Sequence, residues 1–304
     1  MTRGVSRTWS RSTRSGRAPS ARSWLGRFYR RRIRPAGREI VVAARRSVPV
    51  ARLEPTFLII GAPKSGTTSL YGYLAQHPTV RPAIAKELSY FDRWYDDRSY
   101  GWYLAHFPRR TPGASTGEAT PSYLYDPAAP GRIRAHLPGV KLIAVLRDPV
   151  RRAYSHYAHA VDIGFERLPL DEAIRREAQR LETDAAGPSH GWPMFAHRRF
   201  GYRERGIYHR YLRRWIETFP RSQILVIDSE RLRTDLHGTL SEVASFVGTD
   251  PWVPAETRDL NVRRYGAMPA DIEAELRRFY EPHDRELREL TGQYFGWMQR
   301  ASER

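Results

Sequence analysis

One stretch decides the fold: Phe57-Leu58-Ile59-Ile60-Gly61-Ala62-Pro63-Lys64-Ser65-Gly66-Thr67-Thr68-Ser69-Leu70. Its apolar start is typical of a buried parallel strand, and the glycines that follow let the chain turn tightly toward a helix that begins near Thr67. The first amides of such a helix lack backbone partners and lie at the positive end of its dipole, so the unit predicts an anion site. Lys64 is one of only three lysines in an arginine-rich chain, which strengthens that prediction.

The turn differs from the loop that binds nucleoside triphosphates. In that loop a lysine follows the second glycine and reaches the terminal phosphates. Gly61 and Gly66 keep the spacing, but Thr67 stands in the lysine position and Lys64 comes two residues before Gly66. The pattern predicts against ATP or GTP hydrolysis and favours a shorter anion. The residues expected to contact it are Lys64, Ser65, Gly66, Thr67, Thr68 and Ser69.

Strands alternate with helices along the rest of the chain, which predicts a three-layer α/β fold of the P-loop type, with a mostly parallel sheet flanked by helices. Three further strands are predicted: one that begins at Gly117, one over Val140 to Leu146 and one over Gln223 to Ile227. The predicted helices cover Val150 to Val161, Leu170 to Thr183, Tyr208 to Phe219 and Leu236 to Val247. The segment Lys86 to Asp92 is expected to be a short loop or strand.

Positive charge is concentrated at the N-terminus. The chain of 304 residues has a net charge of +18, and residues 1–50 hold 14 of its 51 basic and one of its 33 acidic residues. We expect residues 1–52 to be a disordered Arg-rich tail and residues 53–300 to form one catalytic domain. Aromatic residues among the tail arginines favour contact with an anionic membrane surface or nucleic acid, with a solvated leader as the alternative.

The chain contains no cysteine, which excludes disulfides, thiolate catalysis and cysteine-ligated zinc. No apolar run approaches the length of a membrane span, and the N-terminus lacks the apolar core of a secretory signal.

A second motif reads Leu146-Arg147-Asp148-Pro149-Val150-Arg151-Arg152-Ala153-Tyr154-Ser155. Arg147 follows a predicted strand, at the sheet edge where open parallel sheets bind ligands, and its planar guanidinium suits a phosphate. The alternative is an ordinary salt bridge, for example to Asp148. Ser155 lies two turns into the next helix, where a lone serine is ordinarily solvated or bonded to the backbone.

Together the two motifs resemble sulfotransferases that use 3′-phosphoadenosine 5′-phosphosulfate, closest to the heparan sulfate N- and O-sulfotransferase branch, over roughly residues 56–297. The resemblance implies that the first turn wraps the 5′-phosphosulfate, with Lys64 on the oxygen that bridges phosphate and sulfate. It implies that Arg147 and Ser155 hold the 3′-phosphate, with Arg263 and Arg264 lying over it. No metal is expected.

The resemblance also implies a base. In Lys86-Glu87-Leu88-Ser89-Tyr90-Phe91-Asp92, Glu87 matches the glutamate that takes the proton from the acceptor. The rival bases His106, His156 and His159 are expected to have solvated or packing roles. One departure is Ala119, which replaces a lysine that many glycan sulfotransferases of this branch carry.

The function expected from the resemblance is sulfuryl transfer to a hydroxyl or amine of a glycan, glycolipid or glycosylated metabolite. One alternative is a P-loop kinase, for which Asp148 and Asp228 are the candidate magnesium ligands. Another is a nucleic-acid or membrane-surface binder that acts through the tail, although nucleic acid is not expected to bind the core domain. We expect a bacterial cytoplasmic protein, with contact to the inner membrane face left open. The sequence leaves the acceptor, N- or O-sulfation and the oligomeric state undetermined.

Overall fold

The computed structural model describes residues 35–185, 194–257 and 266–298. Four strands form the central sheet in the order β2-β1-β3-β4, and every pair of neighbours is parallel. The strands are β1 (Phe57–Gly61), β2 (Gly117–Ala119), β3 (Lys141–Leu146) and β4 (Ile224–Asp228). The predicted parallel α/β sheet is therefore confirmed.

Helices connect and cover the strands. In the described ranges they are α1 (Pro35–Arg46), α2 (Thr67–Leu74), α3 (Tyr100–Leu104), α4 (Ala129–His136), α5 (Pro149–Asp162), α6 (Leu170–Arg175), α7 (Glu177–Ala185), α8 (Phe195–Phe200), α9 (Tyr208–Thr218), α10 (Arg231–Thr234), α11 (Leu236–Val247) and α12 (Ala270–Thr291). Short 3₁₀ turns cover Tyr123–Tyr125, Glu204–Gly206 and Arg221–Gln223, and a π-helical turn covers Tyr90–Trp94. None of the described helices is long and apolar enough to cross a membrane.

Alternate residues of the strands supply two separate cores, one on each face of the sheet. Leu58 and Ile60 face a cluster that α4 and α9 complete through Ile133, Leu212 and Trp215. The residues facing the other way pack with α2 and α11, in a cluster that contains Phe57, Ile59, Ile143, Val145, Leu70, Leu74, Leu240 and Val243. Because strands covered on both faces must be apolar on both faces, this burial explains their continuous hydrophobic runs.

Two predicted boundaries differ from the structure. The single helix expected from Leu170 to Thr183 is two helices, α6 and α7, which are separated at Arg176. Glu177 at the start of α7 is buried and accepts the backbone N–H groups of Arg203 and Glu204 at 2.7 Å each. This contact with a distant segment fixes the start of α7, and the local hydrophobic pattern does not encode it.

The second difference concerns the tail. Residues 35–46, which were expected to belong to the disordered tail, form α1. Val42 of this helix is buried, and the Arg45 guanidinium donates to the carbonyl oxygen of Ala105 at 3.2 Å. The folded part therefore extends back to residue 35 at least, earlier than the expected boundary at residue 53. Residues 1–34 lie outside the described residues.

The close approach of β1 and β2 leads to a testable prediction. A Cβ atom at Gly117 would lie 2.5 Å from the carbonyl oxygen of Phe57, whereas one at Gly131 on the exposed side of α4 would meet nothing within 4 Å. We expect Gly117→Ala to lower the free energy of unfolding by about 2 kcal/mol or more, because backbone cannot yield as a side chain does. Gly131→Ala, the matched control, should change it by about 1 kcal/mol at most. Equal urea midpoints for the two variants would contradict the prediction.

Candidate active site

The turn after β1 is held against β3. The N–H of Ala62 donates to the carbonyl oxygen of Val145 at 2.7 Å, so the chain stays attached to the sheet as it leaves β1. Lys64 and Gly66 then adopt left-handed backbone conformations, with φ of 70° and 90°, and α2 begins at Thr67. At Gly61 the requirement is space, since an added Cβ would lie 2.6 Å from the Cβ of Leu124.

The second motif contacts this turn directly. The Arg147 guanidinium donates from Nη1 to the carbonyl oxygen of Lys64 at 3.1 Å, and the Tyr208 hydroxyl donates to the carbonyl oxygen of Arg147 at 2.8 Å. Burial lowers the pKa of Arg147, although an arginine of this kind keeps its charge. The two segments that were predicted to bind phosphate are therefore in direct contact.

The alternative salt bridge from Arg147 to Asp148 is not what the structure shows. Asp148 accepts the N–H of Val150 at 3.0 Å as the N-cap of α5. Its carboxylate also accepts two hydrogen bonds from the Arg277 guanidinium on α12, at 3.1 and 2.8 Å. Tyr208 and Arg277 were not predicted as part of this region, because their contacts join segments 61 and 129 residues apart.

Ser155 and His156 are both buried on α5, so Ser155 is not the solvated serine that its position in the sequence suggests. The His156 ring lies with Nε2 3.1 Å from the carbonyl oxygen of Arg198 and Nδ1 3.4 Å from the Arg152 guanidinium. Burial, together with the charges of Arg152 and Arg205, lowers the pKa of His156 well below its usual value. His156 is therefore a neutral ring with both nitrogens occupied, which agrees with a packing role.

His106, the second rival base, is held through one ring nitrogen. It is buried, with Nδ1 3.0 Å from the carbonyl oxygen of Trp102, and burial lowers its pKa to about 4. The packing alternative is thus the correct one for His106 as well, and the solvated alternative is wrong for both rings.

Glu87 lies at the same edge of the sheet as the turn. Its side chain is 60% exposed and lies 2.7 Å from the Lys86 ammonium group. Its backbone N–H donates to the carbonyl oxygen of Ala119 at 3.1 Å, at the end of β2. The next residue, Thr120, donates its N–H to the carbonyl oxygen of Ile59 in β1 at 3.1 Å. Glu87 is thereby linked through β2 to β1, the strand that leads into the turn of Lys64.

Ala119, which departs from the family pattern, is buried in the apolar cluster with Phe57 and Ile59. No charged side chain enters the site from this position. Its contribution is instead the carbonyl oxygen that receives the Glu87 N–H.

A carboxylate that was not predicted as a site residue lies beneath Glu87. Glu118 in β2 is fully buried and accepts hydrogen bonds from Thr120 Oγ1 at 2.6 Å, Tyr123 Oη at 2.8 Å and Tyr103 Oη at 3.1 Å. Burial raises the pKa of Glu118 to about 7, although these hydroxyl groups favour its charged form. The signal that could have identified it is a glutamate inside a predicted strand, since buried carboxylates are rare unless paired.

The donor set at this edge suits phosphate groups. Ser65, Thr67 and Ser69 bring buried hydroxyls into one turn with Lys64, and Arg147 adds a guanidinium beside it. The two candidate magnesium ligands are engaged elsewhere, Asp148 as described and Asp228 by the N–H groups of Glu230 and Gly296 at 2.9 and 2.8 Å. Arg263 and Arg264 lie outside the described residues.

Comparison with known proteins agrees with this geometry. A family model described as a sulfotransferase domain matches residues 54–265. The mouse heparan sulfate glucosamine 3-O-sulfotransferase 6 is 33% identical over 275 residues, which cover 83% of this chain and 76% of that protein. The mouse bifunctional heparan sulfate N-deacetylase/N-sulfotransferase 3 is 30% identical over 78% of this chain but only 30% of its own length.

A solved structure extends the likeness to the fold. The crystal structure of a sulfotransferase from Alicyclobacillus acidocaldarius superposes with a TM-score of 0.67 at 26% identity, covering 81% of this chain and 99% of that one. The chain therefore belongs to the sulfotransferase family and uses 3′-phosphoadenosine 5′-phosphosulfate as its sulfuryl donor.

Proposed function

We propose that this enzyme transfers a sulfuryl group to a hydroxyl or amine of a carbohydrate acceptor. The observation that carries the site assignment is the hydrogen bond from Arg147 to the carbonyl oxygen of Lys64, which joins two phosphate-binding segments in one site. The acceptor class is supported by the names of the two relatives described above. Both names contain heparan sulfate, and one of them also contains glucosamine.

In this proposal the donor is held at two places. The turn amides and hydroxyls from Ser65 to Ser69, with Lys64, hold the 5′-phosphosulfate, and Arg147 with Ser155 holds the 3′-phosphate. Lys64 and the α2 N-terminus neutralise charge that develops on the departing phosphate oxygen. Arg263 and Arg264 stay predictions for the 3′-phosphate.

Glu87 is the proposed general base. Its exposed carboxylate is accessible to an acceptor, and its backbone is fixed beside the strand end that carries the donor turn. It removes the acceptor proton as the acceptor oxygen or nitrogen attacks sulfur, while the bond from sulfur to the bridging oxygen breaks. The remaining catalytic work is alignment and charge neutralisation, since the protein forms no covalent bond in the transfer.

Association of the Arg-rich tail with an anionic membrane surface, and cytoplasmic placement, stay predictions. Because α1 packs against the folded part, the informative truncation is one that removes residues 1–34 and keeps α1. Vesicle binding that is unchanged by this truncation would contradict the role of the tail.

The first test concerns Lys64. We expect Lys64→Ala to lower kcat for sulfuryl transfer by about 100-fold or more, since removal of one preorganised charge at a developing anion has that effect. Lys141→Ala is the matched control. Lys141 lies at the start of β3, at the opposite edge of the sheet, and its ammonium group donates to the carbonyl oxygen of Ser222. Transfer of labelled sulfate and the melting temperature are measured for both. A kcat for Lys64→Ala equal to that of the control would sink the assignment.

The second test separates the donor from the ligand of a kinase. We expect adenosine 3′,5′-bisphosphate to raise the melting temperature more than ATP with magnesium does. Arg147→Gln should weaken binding of the bisphosphate by about 10-fold or more, because a charge-assisted hydrogen bond contributes about 1.5–3 kcal/mol. Arg151→Gln serves as control, since the Arg151 side chain is 57% exposed and lies 3.7 Å from its partner Asp148. A larger shift with ATP would favour the kinase.

The third test concerns the acceptor. Labelled donor is supplied with a panel of glucosamine-containing oligosaccharides, with free and with acetylated amines, and with simple phenols. We expect label in the oligosaccharides. Glu87→Gln should transfer it about 100-fold or more slowly, at a rate that is still measurable, because a general base contributes about 10²–10⁴-fold. This variant should still bind adenosine 3′,5′-bisphosphate, because Glu87 is not a contact of the sulfuryl donor. Label confined to phenols would refute the carbohydrate acceptor, and full transfer by Glu87→Gln would refute the base.

A further inference from the structure

Glu118 is the centre of a buried hydrogen-bond network that no assigned role explains. It has no exposed surface, and its carboxylate accepts from the hydroxyls of Thr120, Tyr123 and Tyr103. Burial of a carboxylate is costly unless several donors satisfy it, and Glu118 has these donors.

The network continues into the loop that carries Glu87. The N–H of Leu88 donates to Glu118 Oε2 at 3.4 Å, and the N–H of Ser89 donates to Thr120 Oγ1 at 3.3 Å. The hydroxyl oxygen of Tyr123 accepts from the N–H groups of the next two residues, at 3.0 Å from Tyr90 and 3.4 Å from Phe91. Four consecutive amides after Glu87 are therefore bonded to Glu118 or to a hydroxyl that bonds to it.

In its charged form, the Glu118 carboxylate determines the direction of these bonds. A hydroxyl has one proton, and Thr120 and Tyr123 give theirs to Glu118. Their oxygen lone pairs are consequently turned toward the backbone N–H groups of the loop. Because residue 118 accepts the protons of the Thr120 and Tyr123 hydroxyls, these hydroxyls can in turn accept the N–H groups of the loop. A hydrogen-bond donor at position 118 would not orient them in this way.

The loop needs such support. Glu87 and Ser89 have φ values of 60° and 52°, which non-glycine residues rarely adopt and which cost about 1–3 kcal/mol each. The Glu87 side chain is exposed and pairs with Lys86, whereas Leu88, Tyr90 and Phe91 are buried in the core. The bonds to the backbone amides act together with this packing to hold the two left-handed residues.

We propose that Glu118 is a positioning residue that fixes the loop of Glu87 in its active conformation. This inference rests on the proposed role of Glu87 as the base. Glu118 itself is buried and contacts no substrate; it acts through the amides of residues 88–91.

The experiment compares isosteric replacements of two buried carboxylates. Glu118→Gln keeps the shape but places an NH₂ group either at Oε1, where the Tyr103 and Tyr123 hydroxyls donate, or at Oε2, where the Thr120 hydroxyl and the Leu88 N–H donate. In either orientation two donors face each other, and a hydroxyl must redirect its proton away from residue 118 and toward the loop amides. The matched control is Glu177→Gln, because Glu177 is equally buried, burial likewise raises its pKa to about 7, and it accepts two backbone amides elsewhere in the fold. The variants Glu87→Gln and Glu87→Gln with Glu118→Gln complete the set.

We expect Glu118→Gln to lower kcat by about 10-fold or more, since a displacement of about 1 Å at a reacting group has effects of that order or larger. Its affinity for adenosine 3′,5′-bisphosphate should stay within about twofold of the unsubstituted enzyme, because the donor turn is not in the network. Glu177→Gln should lower the melting temperature about as much as Glu118→Gln does, but it should leave kcat unchanged. The double variant should be no slower than Glu87→Gln alone, because Glu118 acts through that residue.

A kcat for Glu118→Gln equal to that of Glu177→Gln, or a double variant slower than Glu87→Gln, overturns the inference while the base assignment stands. Full activity of Glu87→Gln overturns the base assignment and the inference with it. If Glu118→Gln does not fold, Thr120→Val and Tyr123→Phe each remove one hydroxyl of the network. A kcat loss in these variants with unchanged bisphosphate affinity supports the inference, and unchanged kcat in both overturns it.

Discussion

The parallel pairing of β1 with β3 is the constraint on which the rest of the site depends. Parallel strands end at the same edge of a sheet, so the chain leaves both strands side by side. The bond from the N–H of Ala62 to Val145 continues the pairing past the end of β1. Lys64 and Arg147, 83 residues apart, then come within a single hydrogen bond of each other. Neither loop alone could create that proximity.

Asp148 does not neutralise the charge of Arg147 at this edge. Asp148 follows Arg147 in the sequence, yet its carboxylate caps α5 and binds the Arg277 guanidinium from α12. Arg147 bonds to a backbone carbonyl instead, which carries no net charge to cancel its own. In the proposed site, an anion would therefore meet the charge of Arg147 in partly buried surroundings, where charge interactions are stronger than in water.

The predictable parts of the molecule are those encoded by neighbouring residues. The strand at Phe57 to Gly61 and the turn around Lys64 are contiguous, so apolar runs and glycine spacing were sufficient to place them. The contact of Arg277 with Asp148 joins segments 129 residues apart, and no local pattern reports it. The prediction of a single helix from Leu170 to Thr183 failed for the same reason, since the contact that fixes the start of α7 is with a distant segment. Glu118 was missed as well, because its partners come from three separate segments.

The separation between base and donor is set by the sheet rather than by the loops. Glu87 is bonded to the end of β2 through Ala119, and Thr120 is bonded to Ile59 in β1. Neighbouring strands lie about 4.8 Å apart, a spacing that backbone hydrogen bonds hold within narrow limits. Reacting atoms must approach to about 3–3.5 Å in line for transfer, so flexible loops would make the aligned state rare. If Glu87 is the base and Lys64 contacts the leaving oxygen, as proposed, their anchoring at adjacent strand ends keeps that alignment, provided that the left-handed conformations of Glu87 and Ser89 are themselves held.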